Sequence, residues 1–228
     1  MRKLYIQYFS HGDKARKNEL DFCTKHNINN ASFDKVYVLL EKEEDDFEWL
    51  HNDRTEVINL EKRANYKTFV DFANERSGEN DVHILANLDI FFDNTVKELD
   101  QMLHKDFITL TRWDIDIKTK KANFFNVNCS QDTWIWKGVV NFENTTLDLT
   151  YNLGTPGCDN AVCGEFHENG YRVLNPSLTV KTYHLHQDTS RGYTDDDVVR
   201  KKLYLLYPTQ DFQTSQIQYW KDCTNHGK

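Results

Sequence analysis

The first 105 residues alternate between short strand-like runs and segments with helical spacing, and this alternation constrains the fold more than any other feature. Alternating strands and helices favour right-handed crossovers that build a mostly parallel sheet. The predicted strands cover residues 3–9, 35–41, 56–61 and 82–92. The predicted helices cover residues 13–27, with Asp13 as N-cap, 65–75 and 95–104. We therefore predict an α/β fold with a Rossmann-like central sheet flanked by helices.

The second half of the chain has a mixed pattern in which strands are not separated regularly by helices. Strands are predicted over 106–117, 132–138, "YRVLNPS" and "TVKTYHLH". Helices are predicted over 158–170, closed by Gly170, and over 194–207, with Thr194 as N-cap. We expect one domain over residues 1–208, made of halves 1–105 and 106–208, followed by a polar tail over 209–228.

The composition is that of a globular protein with a negative net charge. The 228 residues carry a formal net charge of −8, which argues against nucleic acid or an anionic membrane as the main partner. A phosphorylated small molecule stays compatible with this charge if a divalent cation neutralises it locally. The five cysteines form no CxxC pair, and no apolar run reaches the roughly 18 residues of a membrane helix. The prediction is a cytoplasmic protein with free thiols and no transmembrane segment.

The stretch "HILANLDIFFDN" places two polar residues, Asn87 and Asp89, inside a run that otherwise predicts a buried strand. In an extended strand, side chains two positions apart point to the same face. A buried carboxylate needs a partner, and hard divalent cations prefer oxygen ligands. Asp89 is therefore a candidate metal ligand. The alternative is that it caps the turn before the 95–104 helix or pairs with an arginine.

The stretch "YHLHQ" contains a second pair of polar residues two positions apart, His184 and His186. Both can face one side of a strand, and imidazole is a common metal ligand. We expect at least one of them to bind a metal or a phosphate. A metal held by an aspartate and a histidine would keep open coordination sites, which suits a metal that holds a diphosphate.

Two further carboxylates are candidates for acid–base chemistry. Asp159 follows Thr155, Pro156 and Gly157 at the predicted start of a helix, where it could act as a general base or contact a sugar hydroxyl. The alternative for Asp159 is a helix N-cap. Asp132, in "SQDTWIW", is a second and weaker candidate.

Basic residues near predicted strand ends and aromatic residues are candidates for binding an anion or a sugar. The cluster around the turn before the 65–75 helix consists of Lys62, Arg63 and Lys67. The alternative interpretation is that these residues are only solvent-exposed charges at the start of the helix. Two basic–aromatic pairs suit sugars and bases, which stack and hydrogen-bond together: Arg112 with Trp113, and Arg191 with Tyr193.

Taken together, these segments resemble the GT-A class of nucleotide-sugar glycosyltransferases, in the form found in small domains of bacteria and large algal viruses. "ILANLDIFFDN" resembles the DxD segment of that class, and "KRANYKTFVDF" resembles the arginine-bearing turn before it. "SQDTWIWKG" and "GCDNAVCGEFHENGYRVLNPS" resemble the acceptor-side carboxylate segment. "VKTYHLHQDTSRGY" resembles the C-terminal metal-ligand segment, so the resemblance spans residues 3 to 193.

The resemblance implies a GT-A fold and a metal-dependent hexosyl- or deoxyhexosyltransferase of glycan biosynthesis. The donor would be a nucleoside-diphosphate sugar, most often of UDP, with Mn²⁺ or Mg²⁺ as cofactor and a glycan or other hydroxyl as acceptor. Residues 1–105 would be the nucleotide-binding half, and residues 106–208 the acceptor and metal half. An inverting enzyme would use a base such as Asp159, whereas a retaining enzyme could use the leaving phosphate.

The resemblance also assigns roles to single residues. The metal ligands would be Asp89, His186 and His184. The residues implied to bind the donor are Phe9, Ser10, Arg63, Asn87, Asp89, Arg112, Trp113 and Arg191. Asn87 stands where many members have Asp, and it would contact the ribose or a metal-bound water. The catalytic carboxylates would be Asp159 and Asp132.

Two other functions are compatible with the sequence. A non-catalytic nucleotide- or sugar-binding module of the same fold would explain Asn87 in the DxD-like segment. A sugar-phosphate nucleotidyltransferase is disfavoured, because these enzymes usually carry a glycine-rich loop with basic residues after the first strand and "YFSHGDKARK" holds a single glycine.

Overall fold

A computed structural model describes residues 1–42, 48–116, 118–185 and 198–224. Its helices are α1 (Lys14–Asn29), α2 (Tyr66–Asn74) and α3 (Cys158–Glu168), with short 3-10 helices over Glu48–Leu50 and Asn94–Gln101. Its first strands are β1 (Arg2–Tyr8), β2 (Lys35–Leu40), β3 (Thr55–Asn59), β4 (Val82–Ala86), β5 (Ile90–Phe92) and β6 (Asp106–Leu110). The remaining strands are β7 (Trp113–Ile115), β8 (Ala122–Phe124), β9 (Thr133–Lys137), β10 (Arg172–Leu174), β11 (Thr182–Leu185), β12 (Lys202–Leu206) and β13 (Ile217–Asp222).

A seven-stranded sheet in the order β10-β6-β9-β4-β1-β2-β3 forms the centre of the fold. The pairs β1–β2, β1–β4, β2–β3 and β6–β10 are parallel, and β9 runs antiparallel between β4 and β6. Successive residues of β1 enter different cores, because side chains alternate across a strand. Leu4 and Ile6 join one cluster, whereas Tyr5 joins the other. The predicted α/β class with a mostly parallel central sheet is confirmed.

The predicted strand over 82–92 is wrong as a single strand. The chain turns at Asn87, whose carbonyl accepts a hydrogen bond from the Ile90 amide at 3.1 Å, and β5 joins a second sheet of order β5-β11-β7-β8. The Asn27 side chain holds β5 against α1 through Ile90 and Phe92. Asn87 and Asp89 therefore lie in a turn at the end of β4, so the alternation of an extended strand does not orient them.

Two other predicted elements also differ from the structure. The segment 106–117 is divided between β6 in the central sheet and β7 in the second sheet. The predicted helix over 95–104 is a 3-10 helix, and the Asp93 side chain caps its first turn. Sequence periodicity does not predict the division of 106–117 into two strands or the 3-10 form of the helix, because both depend on the tertiary contacts of each segment.

The predicted helix over 194–207 is wrong for its described part. Lys202–Leu206 is strand β12, which pairs antiparallel with Ile217–Asp222. Its apolar and aromatic residues suit a strand as well as a helix, and the partner strand lies in the segment predicted to be a polar tail. Thr194, the predicted N-cap, lies outside the described residues. The division into 1–208 and 209–228 stays a prediction.

Among the described residues, no helix combines the length and the apolar character that are needed to cross a membrane.

Gly157 sets the start of α3 through a backbone conformation that favours glycine. Its φ is +78°, and an added Cβ would lie 3.3 Å from Leu203 Cδ1. We expect Gly157→Ala to destabilise the fold by about 1–2 kcal/mol through left-handed strain, which lowers the melting temperature by about 3–6 °C. Gly12→Ala is the matched control, since nothing lies within 4 Å of its added Cβ. Equal melting temperatures for the two variants in a thermal scan would contradict this account.

Candidate active site

A cleft of about 680 Å³ lies where β1 and β4 of the central sheet end. This volume is in the usual range of small-molecule sites, and parallel sheets bind ligands beyond the carboxyl ends of their strands. The cleft brings together eight of the residues singled out in the sequence: Phe9, Arg63, Asn87, Asp89, Arg112, Asp132, Asp159 and His184. Two others, His186 and Arg191, lie outside the described residues.

Asp89 receives two charged hydrogen bonds. Arg16 Nη2 donates to Asp89 Oδ2 at 2.6 Å, and His184 Nε2 donates to the same oxygen at 3.2 Å. Burial would raise the pKa of Asp89, but the hydrogen bond and charge of His184, together with the charge of Arg16, outweigh burial and hold that pKa well below its usual value. The arginine pair anticipated as an alternative is therefore present, and it places a carboxylate anion in the cleft.

Glu19 is a second carboxylate beside Asp89. Arg16 Nη1 donates to Glu19 Oε1 at 2.6 Å, and the Glu19 side chain is fully buried. Its Oε2 has no hydrogen-bond partner among the described residues. A buried carboxylate oxygen without a donor is costly unless a cation satisfies it. Burial raises the pKa of Glu19, and the Arg16 charge opposes that shift.

Glu19, Asp89 and His184 form a donor set that fits a divalent metal ion. One ligand atom of each lies within 4.8 Å of the others. Two carboxylates and an imidazole match the ligands that Mn²⁺ and other first-row metals accept. The sequence did not single out Glu19, although it lies three positions after Arg16 on one face of α1, where the two side chains can meet.

His184 links this cluster to the second sheet. Its Nδ1 donates to Asp114 Oδ1 at 3.0 Å while its Nε2 donates to Asp89, so both ring nitrogens carry protons. Burial lowers the pKa of His184, but its hydrogen bonds to Asp114 and Asp89 outweigh burial and raise that pKa to about 9. Asp114, which the sequence did not single out, orients the ring as an outer partner of a metal-binding histidine does.

Arg112 extends the chain of oppositely charged side chains that runs from Arg16 through Asp89 and His184 to Asp114. Its Nε donates to Asp114 Oδ1 at 2.9 Å, and its Nη1 donates to Asp132 Oδ2 at 3.0 Å. The amide of Asn87 donates to Asp132 Oδ1 at 2.9 Å. Asp132 is thus held between a cation and an amide, an arrangement that suits a positioning role better than proton transfer.

Asp159 lies in the first turn of α3, and Gly157 occupies the N-cap position. Its oxygens accept hydrogen bonds from the backbone amides of Gln131 and Asn160, both at 3.0 Å. Burial, with a contribution from the charge of Asp132, raises the pKa of Asp159 to about 7, although these amides oppose the shift. A carboxyl with a pKa near neutrality is suited to exchange protons at physiological pH.

The remaining predicted donor-binding residues lie at different depths. Arg63 lines the cleft and donates to the Leu153 carbonyl. Gly154 beside it has a φ of +71°, a conformation that favours glycine. Phe9 lines the rim and is 36% exposed. Ser10 and Trp113 are outside the cleft lining, and the Trp113 indole donates to the Ser177 carbonyl. The donor-binding roles of Ser10 and Trp113 stay predictions.

The raised pKa of Asp159 predicts a pH dependence of stability. The pKa of Asp159 is 3.8 in the unfolded chain and about 7 in the folded one. The contribution of Asp159 to the free energy of unfolding is therefore fully present below pH 3.8 and is lost as pH rises through about 7. Relative to wild type, Asp159→Asn should therefore gain stability between pH 5 and pH 8, by about 1–2 kcal/mol after discounting for partial exposure. Chemical denaturation at both pH values measures this difference. A difference that is independent of pH would contradict the shifted pKa.

Comparisons with known proteins give the fold a context. No protein-family model and no curated protein matches the chain. Among solved structures, it is similar to the mannosyltransferase PcManGT from Pyrobaculum calidifontis, which was solved in complex with GDP-Man and Mn²⁺. The TM-score is 0.50 at 12% identity, over 84% of this chain and 58% of that one. It is also similar to TarS from S. aureus, with a TM-score of 0.49 at 11% identity, over 81% of this chain and 36% of that one.

These identities show the fold alone. The chain spans 58% of the mannosyltransferase and 36% of TarS. The comparisons do not support the narrower resemblance to domains of large algal viruses. What they show is a GT-A-like α/β fold of the kind found in glycosyltransferases.

Proposed function

We propose that the chain is a glycosyltransferase that moves a sugar from a nucleoside-diphosphate sugar to a hydroxyl of a glycan. The observation that carries the proposal is the presence of two separate ionic centres in one cleft. Glu19, Asp89 and His184 form the first, and Asp159 is the second. The first suits a metal that holds a diphosphate, and the second suits a base near the acceptor.

The first centre would hold Mn²⁺ or Mg²⁺ through Asp89, His184 and Glu19. The ion would take the place of the Nε2 proton of His184, because a histidine ligand must be the neutral imidazole, whereas Nδ1 would keep its proton and its bond to Asp114. A divalent ion bound there would supply positive charge beside the departing nucleoside diphosphate. The mannosyltransferase with this fold was solved with GDP-Man and Mn²⁺, which supports a nucleotide donor and favours Mn²⁺. His186 remains part of the predicted ligand set. UDP is the proposed nucleotide, and GDP is its first alternative.

Cationic and aromatic side chains of the chain would bind the donor. Arg63, with its guanidinium held by the Leu153 carbonyl, is positioned in the cleft to contact a phosphate oxygen, and Phe9 at the rim is available to the base. The proposal also includes donor-binding roles for Ser10, Trp113 and Arg191, which the sequence alone supports. Asn87 would contact the ribose through the oxygen of its amide, since its nitrogen donates to Asp132.

Asp159 would act on the acceptor. Its carboxylate is anchored by two backbone amides, so it can accept the hydroxyl proton at an oxygen without reorienting. This role corresponds to an inverting transfer. In a retaining transfer, the leaving phosphate would take the proton and Asp159 would position the acceptor.

A non-catalytic binding module is the second candidate, and one observation favours it. Arg16 and His184 already pair with Asp89, so the charge of this carboxylate is balanced by side chains of the chain itself. Metal-dependent binding and turnover separate the two candidates.

We expect a nucleoside diphosphate with Mn²⁺ to raise the melting temperature by about 5–10 °C at 100 times its Kd, and EDTA to abolish most of this shift. Asp89→Asn and Glu19→Gln should lose the Mn²⁺-dependent part. Glu168→Gln is the matched control, since Glu168 is the last residue of α3 and pairs with Lys202 and Tyr204 of β12.

A donor panel assayed for nucleoside diphosphate release then tests turnover. Nucleotide binding that EDTA does not change would contradict the metal site. Nucleotide binding without release of nucleoside diphosphate from any donor would favour the non-catalytic module.

Asp159→Asn should keep nucleotide affinity and lose about 10²- to 10⁴-fold in transfer rate. In the wild type, the rate should rise with pH through about 7 as Asp159 loses its proton. The measurement pairs nucleotide Kd by calorimetry with kcat across pH 5.5–8.5, the range of roughly 1.5 pH units around that pKa. A variant that binds nucleotide weakly but transfers at the wild-type rate would place Asp159 on the donor side.

A further inference from the structure

The hairpin of β12 and β13 carries an exposed aromatic residue to the cleft. Trp220 is 45% exposed, and both it and Lys221 line the cleft that holds Asp89 and Asp159. Neither residue was singled out in the sequence, because the last 20 residues show no clear period. An exposed tryptophan at the rim of a polar cleft is a feature that the proposed chemistry does not use.

A β-bulge explains how two adjacent residues reach the same cleft. Leu203 pairs with Lys221 and Tyr204 pairs with Tyr219, so Trp220 is the extra residue that has no partner in the register. In a regular strand, Trp220 and Lys221 would point to opposite faces. A bulge breaks this alternation and redirects a side chain, and bulges are over-represented next to active sites.

The hairpin is fixed to the helix that carries Asp159. The Asn160 side chain donates to the Tyr204 carbonyl at 2.7 Å, and Leu203 packs beside Gly157 at the start of α3. Trp220 therefore belongs to the part of the cleft formed by the start of α3, which carries Asp159, whereas Phe9 follows the end of β1. This placement favours the acceptor over the nucleotide as the occupant.

The chemistry of the pair fits a sugar ring. The indole face attracts the C–H groups of a pyranose, which carry partial positive charge, and its size buries one face of the ring. Lys221 Nζ lies over one face of the Trp220 indole, 4.4 Å from the ring centre, so a pyranose would stack on the opposite face. From its flexible stem the ammonium could donate a hydrogen bond to a hydroxyl that projects past the edge of the indole.

We propose that Trp220 and Lys221 form an acceptor subsite in which a pyranose of the acceptor glycan stacks on the Trp220 indole. The subsite rests on the proposed glycosyltransferase function, and it specifies which side chains bind a sugar ring of the acceptor. Trp220 is a binding residue here, and the reacting hydroxyl lies with Asp159.

The experiment measures binding of methyl hexopyranosides by saturation-transfer NMR in the presence of UDP or GDP and Mn²⁺. The variants are Trp220→Ala, Trp220→Phe and Lys221→Met. Tyr219→Ala is the matched control, since Tyr219 is 51% exposed on the same strand but outside the cleft lining. Nucleotide Kd is measured by calorimetry on the same proteins.

We expect Trp220→Ala to weaken glycoside binding about 2- to 12-fold, since stacking is worth about 0.5–1.5 kcal/mol, and Trp220→Phe to retain most of the affinity. Lys221→Met should weaken binding less, and Tyr219→Ala should match the wild type, with nucleotide Kd unchanged throughout. Glycoside binding by Trp220→Ala at the wild-type level, or none by the wild type, overturns the subsite. Loss of nucleotide affinity in Trp220→Ala also overturns it, by moving Trp220 to the donor side. Failure of the wild type to bind any nucleotide tests the proposed function separately.

Discussion

The guanidinium of Arg16 bridges the carboxylates of Asp89 and Glu19, and the arrangement of the candidate site depends on this bridge. Two carboxylates so close together repel each other and lose hydration, so they stay ionised only if a cation lies between them or beside them. Arg16 supplies that charge at 2.6 Å from each. A divalent metal would bind the same two carboxylates. Either cation, the Arg16 guanidinium or a metal ion, can therefore balance their charge.

The charges continue from this bridge across both sheets. His184 on β11 joins Asp89 to Asp114 on β7, and Arg112 joins Asp114 to Asp132 just before β9. Each group is fixed by a neighbour of opposite sign, which limits reorganisation when a charged ligand enters. Asp159 is outside this line and is held by backbone amides instead. The two carboxylate centres therefore differ in protonation because their surroundings differ, although both are aspartates.

The sequence predicted the parts of this fold that local patterns determine. Strands β1 to β3 and helices α1 to α3 follow from alternation and from caps such as Asp13. The turn at Asn87, the strand β12 and the roles of Glu19 and Asp114 were not predicted. Each of these depends on a partner distant in sequence: a second sheet for β5, β13 for β12, and Asp89 or His184 for the two carboxylates. Single-sequence patterns carry little information on such pairings.

Strand β9 lies between β4 and β6 and is antiparallel to both. All five residues of β4 are buried, although β4 belongs to the first half of the chain and β9 to the second. The early strands therefore keep an open β4 edge until a segment about fifty residues later pairs with it, and such non-local pairing is slow. A fragment that ended at residue 105 would expose the β4 edge to other chains and would be prone to aggregation. We therefore expect the two halves to fold together, because one reversed strand from the second half covers the sheet edge of the first.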